Sequence, residues 1–236
     1  SGAAYAEDDD KNVDIDMLGF IAVPYDNGQY SVHTNYAKAW NLIGFDGQSL
    51  VDYQNNNIAP EFKDSGDMDF ATILFKTEGI GNGISDYLDN TIAFASFAAS
   101  KTNPNSLGML GSTDSETGTS IWLGVNAPCP LTPDDAKIGF EWNKGSKYWR
   151  SMTYAEDTYA GSKIATRGQA WEVYRTQKLT EALSFGVSYV LMQYDYTGSN
   201  SFFGADGTPY KIGSAEGENK AVKREQSCKA DMRYKF

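Results

Sequence analysis

The end of the chain alternates strictly between apolar and charged side chains. One set consists of Cys228, Ala230, Met232, Tyr234 and Phe236, and the intervening set consists of Lys229, Asp231, Arg233 and Lys235. Successive side chains of a strand point to opposite faces, so the pattern predicts a strand with one apolar and one charged face. An apolar face of this kind fits either the core of a soluble β-sandwich or the hydrocarbon of a membrane.

The same period of two recurs along the second half of the chain. Residues 120–126, 136–143 and 182–196 each place apolar side chains on one face and small or polar side chains on the other. Near the start, residues 12–23 and 30–43 flank an Asn-Gly turn and predict a hairpin. Residues 68–77 and 90–101 are apolar on both sides, and a helical period fits 90–101 nearly as well.

Short and long connections alternate between these predicted strands. The long ones are polar and lie near residues 44–67, 102–118, 145–164 and 197–221. Outer-membrane barrels combine short periplasmic turns with long extracellular loops, whereas a soluble sandwich has turns about every 8–12 residues. We therefore predict an all-β, antiparallel, up-and-down transmembrane β-barrel as one domain, 12–236, preceded by an acidic loop or tail, 1–11.

The strand count makes the chain an incomplete barrel. About nine strands are predicted, whereas bacterial barrels have an even number and begin on the periplasmic side. We infer that the chain is the C-terminal portion of a larger barrel. A strand count wrong by one, or a second copy that completes the wall, are the alternatives.

Composition restricts the function. No apolar run approaches the ~20 residues that a spanning helix needs, and mean hydropathy is −0.48. A net charge of −11 argues against nucleic acid as a partner. The acidic residues fall largely in predicted loops and indicate solvated surface; cation bridging to lipopolysaccharide, or a calcium site at Asp8, Asp10, Asp14 and Asp16, is the alternative.

Candidates for catalysis are few. His33 is the single histidine, which excludes a site of several histidines, and we expect no metal and no cofactor. Ser31, His33 and Asn35 share a strand face and are the residue types of outer-membrane phospholipases. Their Cβ atoms are expected about 7 Å apart, too far for a direct hydrogen bond, so the sequence predicts a polar row that faces the lumen and no enzyme. No disulfide is expected between Cys129 and Cys228.

The alternation also assigns side chains to the two faces of the wall. The charged residues predicted to line a pore are Lys137, Glu141, Lys229, Asp231, Arg233 and Lys235. The residues predicted to face lipid are Ile138, Phe140, Trp142, Leu183, Phe185, Val187, Met232, Tyr234 and Phe236. The charged set either selects ions in a water-filled interior or only braces the wall through salt bridges.

Several segments resemble a known family. They are EWNKGSKYW at 141–149, the hairpin at 177–199, SFFGADGTPY at 201–210 and the closing strand. Together they resemble an uncharacterised, porin-like bacterial outer-membrane β-barrel family, a domain of unknown function, best over 136–236. The resemblance implies an integral outer-membrane barrel and supplies no catalytic residues. The C-terminal strand, which ends in the aromatic residue Phe236, resembles the closing strand that the barrel assembly machinery recognises.

The expected function is therefore a porin-like outer-membrane channel for passive passage of small polar solutes or ions. Its expected partners are outer-membrane lipid, lipopolysaccharide and the assembly machinery, with a homo-oligomer as a further expectation. Two alternatives stay open: a structural or adhesive surface barrel that acts through its loops, and a soluble extracellular β-sandwich that binds glycans.

Overall fold

A computed structural model describes residues 15–153, 160–217 and 222–235. Its main feature is one antiparallel sheet of nine long strands. In chain order the strands and helices are β1 (Asp16–Asp26), β2 (Tyr30–Trp40), β3 (Ile43–Phe45), α1 (Gly47–Asn56), β4 (Phe62–Asp64), β5 (Gly66–Glu78), α2 (Asp86–Asp89), β6 (Ile92–Pro104), β7 (Thr117–Pro128), β8 (Ala136–Gly145), β9 (Gly168–Lys178), β10 (Leu183–Tyr194) and β11 (Arg224–Tyr234).

Each long strand pairs with the one before it and the one after it in the chain. The order is β1-β2-β5-β6-β7-β8-β9-β10-β11, and β3 with β4 forms a separate small ribbon. Among the described residues β1 pairs only with β2 and β11 only with β10, so the sheet is not closed. The predicted all-β, antiparallel, up-and-down arrangement is confirmed, and the ambiguous stretch 90–101 belongs to strand β6.

Most connections at one end of the sheet are shorter than those at the other; the exception is 79–91, which contains α2 and has 13 residues against 12 in 105–116. At one end, the short rim, the strands are joined by residues 27–29, 79–91, 129–135 and 179–182. At the other end, the long rim, they are joined by residues 41–65, 105–116, 146–167 and 195–223. The first long connection contains α1, which the sequence pattern did not predict; Asp46 caps its first turn by accepting from the Gln48 amide.

The buried apolar core lies at the long rim and not between two sheets. Leu42, Met109, Leu110 and Phe203 come from three different long connections and pack with Ala39 and Met68 of the sheet. The connections approach closely: a Cβ on Gly44 would lie 1.9 Å from the backbone nitrogen of Gly204. The long connections therefore form one packed layer, which we term the rim layer.

The faces of the sheet differ sharply in character. The inner face carries Glu141, Glu172, Ser188 and Asp231 and lines the cavities described below. The opposite, outer face leaves large apolar side chains exposed: Phe75, Phe97, Ile121, Leu123, Val125, Phe140, Val173 and Val187. A second sheet packed against that face would bury these residues, so the soluble β-sandwich is not the observed architecture.

No helix in the described ranges has the length and apolar content required to cross a bilayer.

Candidate channel lining

A cavity of about 620 Å³ opens on the inner face of β7 to β11, and we term it the polar cavity because of the charged side chains around it. Its charged lining residues are Glu141, Lys163, Glu172, Arg175, Lys229, Asp231 and Arg233. Ser188 and Ser227 add hydroxyl groups between them. Strand alternation and register bring Glu141, Glu172, Ser188, Lys229 and Asp231 to one face, whereas Lys163 comes from a loop.

Two carboxylates face each other at the centre of this wall. Glu141 on β8 is directly opposite Glu172 on β9 in the strand register. Like charges in that position destabilise a strand pair. The ammonium of Lys163 compensates them: it is 2.6 Å from Glu141 Oε2 and also donates to Glu172. We term these three residues the Glu-Lys-Glu triad.

The lysine of the triad reaches the wall from a loop. Lys163 belongs to the connection 146–167 and lies in a single 3₁₀ turn, Lys163–Ala165. Glu141 is four residues below the end of β8, so the contact lies about 13 Å down the strand from the long rim. Trp149 holds the same turn by donating from Nε1 to the Ile164 carbonyl at 2.8 Å. Residues 160–167 of this connection therefore fold inward over the inner face.

An aromatic side chain completes the surroundings of the triad. Trp122 donates from Nε1 to Glu141 Oε2 at 2.9 Å, and its ring centre lies 5.6 Å from the Lys163 ammonium. Phe94 packs edge-on against Trp122, with ring centres 4.8 Å apart. These contacts orient Glu141, because the indole donor and the ammonium share one of its oxygens.

The triad is largely shielded from water. Exposed side-chain fractions are 12% for Glu141, 15% for Glu172 and 23% for Lys163. Burial lowers the pKa of the Lys163 ammonium, but the hydrogen bonds to the two glutamates outweigh it and raise that pKa above its ordinary value. Lys163 is therefore a cation throughout the physiological range.

A second cavity, of about 700 Å³, lies beside the first and has a mainly apolar lining. Phe70, Met152 and Ile164 contribute large apolar groups, and Ala37 and Ala98 leave room above the sheet. Trp122 and Ile164 line both cavities and therefore lie between them. The inward connection 146–167 thus divides the space over the inner face into a polar and an apolar part.

The rim layer is held by two fully buried arginines. Arg167 donates to the carbonyls of Trp149, Thr197 and Gly207 at 2.7–2.9 Å, and Arg150 donates to the Ser199 carbonyl at 2.9 Å. Burial, and then the nearby charge of Arg150, lowers the pKa of Arg167 to about 9, so it stays cationic at neutral pH. Backbone carbonyls accept these hydrogen bonds, and the carboxylate of Asp206 also interacts electrostatically with both arginines.

The predicted pore-lining residues lie on the inner face or at its edge. Glu141, Lys229, Asp231 and Arg233 line the polar cavity. Arg233 donates to Asp231 at 3.0 Å while remaining largely exposed. Lys137 shares the strand face of Glu141, and Lys235 lies at the short rim beside Arg233. The sequence pattern does not identify Lys163 and Glu172 as lining residues, because residue 163 falls in a predicted loop and Glu172 in a segment with weaker alternation.

The predicted lipid-facing residues are placed as follows. Ile138, Phe140, Phe185, Val187, Met232 and Tyr234 are exposed on the outer face, with exposed fractions from 38% to 65%. Trp142 and Leu183 are half-buried, and Trp142 donates to Gln169 at 3.2 Å. Phe236 lies outside the described residues.

One distance argument from the sequence was wrong. His33 Nε2 lies 3.0 Å from Ser31 Oγ, although parallel side chains two positions apart were expected to be too distant. The imidazole is long enough to lean along the strand, so the Cβ separation does not limit the contact. Because a nucleophile also needs a base oriented by a third group, the pair alone does not constitute a catalytic site.

The metal and thiol predictions concern other parts of the chain. Across the described ranges no group of three His, Cys, Asp or Glu residues is arranged to hold a metal ion. The candidate calcium ligands Asp8, Asp10 and Asp14 lie outside the described residues. Cys129 is buried, Cys228 is exposed, and both are free thiols.

The solved structures that align with this chain are of an outer-membrane protein. In-vitro folded OmpT, an outer membrane protein of Vibrio cholerae, aligns with a TM-score of 0.50 and 9% identity over 93% of this chain. OmpT expressed in the outer membrane aligns with a TM-score of 0.49 and 10% identity over 94% of this chain. The chain spans only 55–57% of the length of these structures. At such identity the first alignment supports the β-barrel fold alone.

A search of curated proteins finds no match. A family model described as "Protein of unknown function (DUF3373)" matches residues 1–236. The resemblance inferred from the sequence is confirmed over the whole chain, and the protein belongs to the DUF3373 family of proteins of unknown function.

Proposed function

We propose that this chain forms part of the wall of a porin-like outer-membrane channel for passive passage of small polar solutes or ions. The observation that carries the proposal is the contrast within single strands. In β10, Phe185 is exposed on the outer face while Gly186 and Ser188 line the polar cavity. A lipid-facing wall around an aqueous interior requires this alternation.

The location and partners follow from the same contrast. The exposed apolar outer face suits outer-membrane lipid, and Tyr234 near the end of β11 suits the headgroup region. The closing strand is the part proposed to engage the barrel assembly machinery, and the polar long rim the part that meets lipopolysaccharide. We propose no catalytic activity, since passive passage requires only a polar, water-filled path.

The unpaired edges of β1 and β11 show that, among the described residues, the sheet needs further strands to close into a channel. In a bilayer every strand edge needs a partner, and β1 and β11 each have one open edge among the described residues. Further strands of a larger barrel provide that pairing under this proposal. Solute passage is therefore a property of the completed barrel.

Planar-bilayer conductance of the full-length protein tests the proposal. The expected result is stable, stepwise conductance whose ion selectivity shifts toward cations in the Arg233→Glu/Lys235→Glu variant. Arg224→Glu is the matched control, because Arg224 is exposed at the opposite end of β11 and lines neither cavity. Membrane-inserted, heat-modifiable protein without conductance would refute it.

The rim layer favours a second candidate, a structural or adhesive surface barrel. Four long connections pack into one layer around Phe203, Arg150 and Arg167, which gives a rigid surface at the loop end. Binding of whole cells to a surface through the long rim, without conductance, would support this candidate over the channel.

A further inference from the structure

The Glu-Lys-Glu triad has a geometry that a simple surface loop does not need. Two carboxylates are paired directly across strands, an unfavourable arrangement unless a cation lies between them. The cation comes from a loop residue, Lys163, that is 22 positions from Glu141 along the chain. The loop residue Lys163 therefore supplies the positive charge that the Glu141–Glu172 pair on the sheet requires.

The triad is independent of how the barrel is completed. Glu141 lies on β8 and Glu172 on β9, and both strands have a paired neighbour on each side. Neither free edge, β1 or β11, contributes to the contact. Closing the wall with further strands would leave the Glu-Lys-Glu triad unchanged.

The charge balance at this level is uneven. The two glutamates and Lys163 together carry one net negative charge, while Asp231 is neutralised by Arg233 at 3.0 Å. Lys163 thus cancels half of the charge of the Glu141–Glu172 pair, while Lys229 and Arg175 add positive charge elsewhere in the lining of the same cavity. It is also the charged anchor of the loop that separates the polar from the apolar cavity.

We propose that Lys163 is a specificity-determining residue of the channel: it holds residues 160–167 against the inner face and shifts the ion selectivity by neutralising one charge of the Glu141–Glu172 pair. This inference rests on the proposed channel function. Without Lys163 the loop loses its ionic anchor and the wall exposes two uncompensated carboxylates. Conductance and cation preference then rise together.

The expected size of the selectivity change follows from Coulomb's law. One added unit charge about 6 Å from a passing ion in water changes the local ion concentration by about threefold. Because Lys163 repels cations and attracts anions, its removal changes the two occupancies in opposite directions, so Lys163→Met is expected to raise the cation-to-anion permeability ratio by about tenfold and to increase the conductance. Lys163→Arg keeps the charge and is expected to retain the wild-type ratio.

A second variant changes the charge in the other direction and keeps the anchor. Glu172→Gln leaves Lys163 paired with Glu141 at 2.6 Å, so the loop stays in place and one negative charge is lost. The permeability ratio is expected to shift toward anions. Lys144→Met is the control, because Lys144 is an exposed lysine of β8 that lines neither cavity.

The experiment is the measurement of reversal potential in a salt gradient, with conductance, for wild type and these variants in planar bilayers. Opposite shifts for Lys163→Met and Glu172→Gln support the inference. If the wild type conducts but both variants keep its permeability ratio, or both shift that ratio in the same direction, this inference is wrong and the proposed channel function stands. Absence of conductance from inserted wild-type protein overturns the proposed function and this inference with it.

Discussion

The guanidinium of Arg167 donates a hydrogen bond of 2.7 Å to the backbone carbonyl of Gly207, forty residues further along the chain. The same side chain also bonds the carbonyls of Trp149 and Thr197, so it joins the connections 146–167 and 195–223. A loop layer of this kind needs a donor-rich residue because its carbonyls have no strand partner. Arg167 has the role in the rim layer that strand pairing has in the sheet.

Replacing Arg167 is expected to loosen the rim layer and leave the sheet intact. Arg167→Met leaves three buried carbonyls without a donor, at a cost of roughly 3 kcal/mol. Hydrogen exchange should become faster in residues 146–153 and 195–217 of the detergent-folded protein, with strand amides unchanged. Arg224→Met is the control, since Arg224 is exposed at the start of β11. Unchanged exchange in both segments would contradict the role assigned to Arg167.

Adjacent positions on β10 should differ in how much a charged side chain lowers the stability of the protein in lipid. Val187 is exposed on the outer face and Ser188 lines the polar cavity. An arginine on the lipid side near the bilayer centre costs about 2–4 kcal/mol, whereas a lumen-facing arginine stays in water. Val187→Arg is therefore expected to lower the unfolding free energy of the protein in lipid vesicles, measured by urea titration, by about 2–4 kcal/mol, while Ser188→Arg changes it little. Equal losses for the two variants would rule out a lipid-facing wall at this position.

Gly139 is expected to tolerate no side chain. It is paired with Tyr174 across β8 and β9, and a Cβ on Gly139 would lie 2.1 Å from Tyr174 Cζ. Gly139→Ala forces the ring off the glycine and should cost about 1–3 kcal/mol in unfolding free energy. Gly47→Ala is the control, because the nearest atom to its Cβ would be 3.6 Å away.

A double variant separates this clash from a general effect of alanine at Gly139. In Gly139→Ala/Tyr174→Ala the ring is gone, so the cost of the first change should largely disappear. A double-mutant cycle in vesicles measures the coupling between the two residues. Additive costs would show that the ring does not lie over the glycine.

The alternation of side chains along a strand is a local property, so the sequence alone could predict which residues lie on the inner face and which on the outer face. Val187 and Ser188 are neighbours in the chain, and extended backbone necessarily turns them to opposite sides. The alternation of short and long connections likewise follows from the spacing of apolar segments. Residues 90–101 show the limit of this approach, because an apolar run without alternation fits a helix and a strand equally until its pairing with β5 and β7 is known.

Contacts across long stretches of chain were decided only by the tertiary structure. The sequence marks Glu141 as inward-facing, but nothing local to residue 163 shows that a loop turns down the inner face to reach it. The burial of Arg150 and Arg167 among carbonyls is equally invisible, because arginine is usually a surface residue. The period of two in the sequence determined which strand residues face inward and which face outward. Only the tertiary structure decided which loop residues lie against the inner face, because the path of a loop depends on contacts with residues far away in the chain.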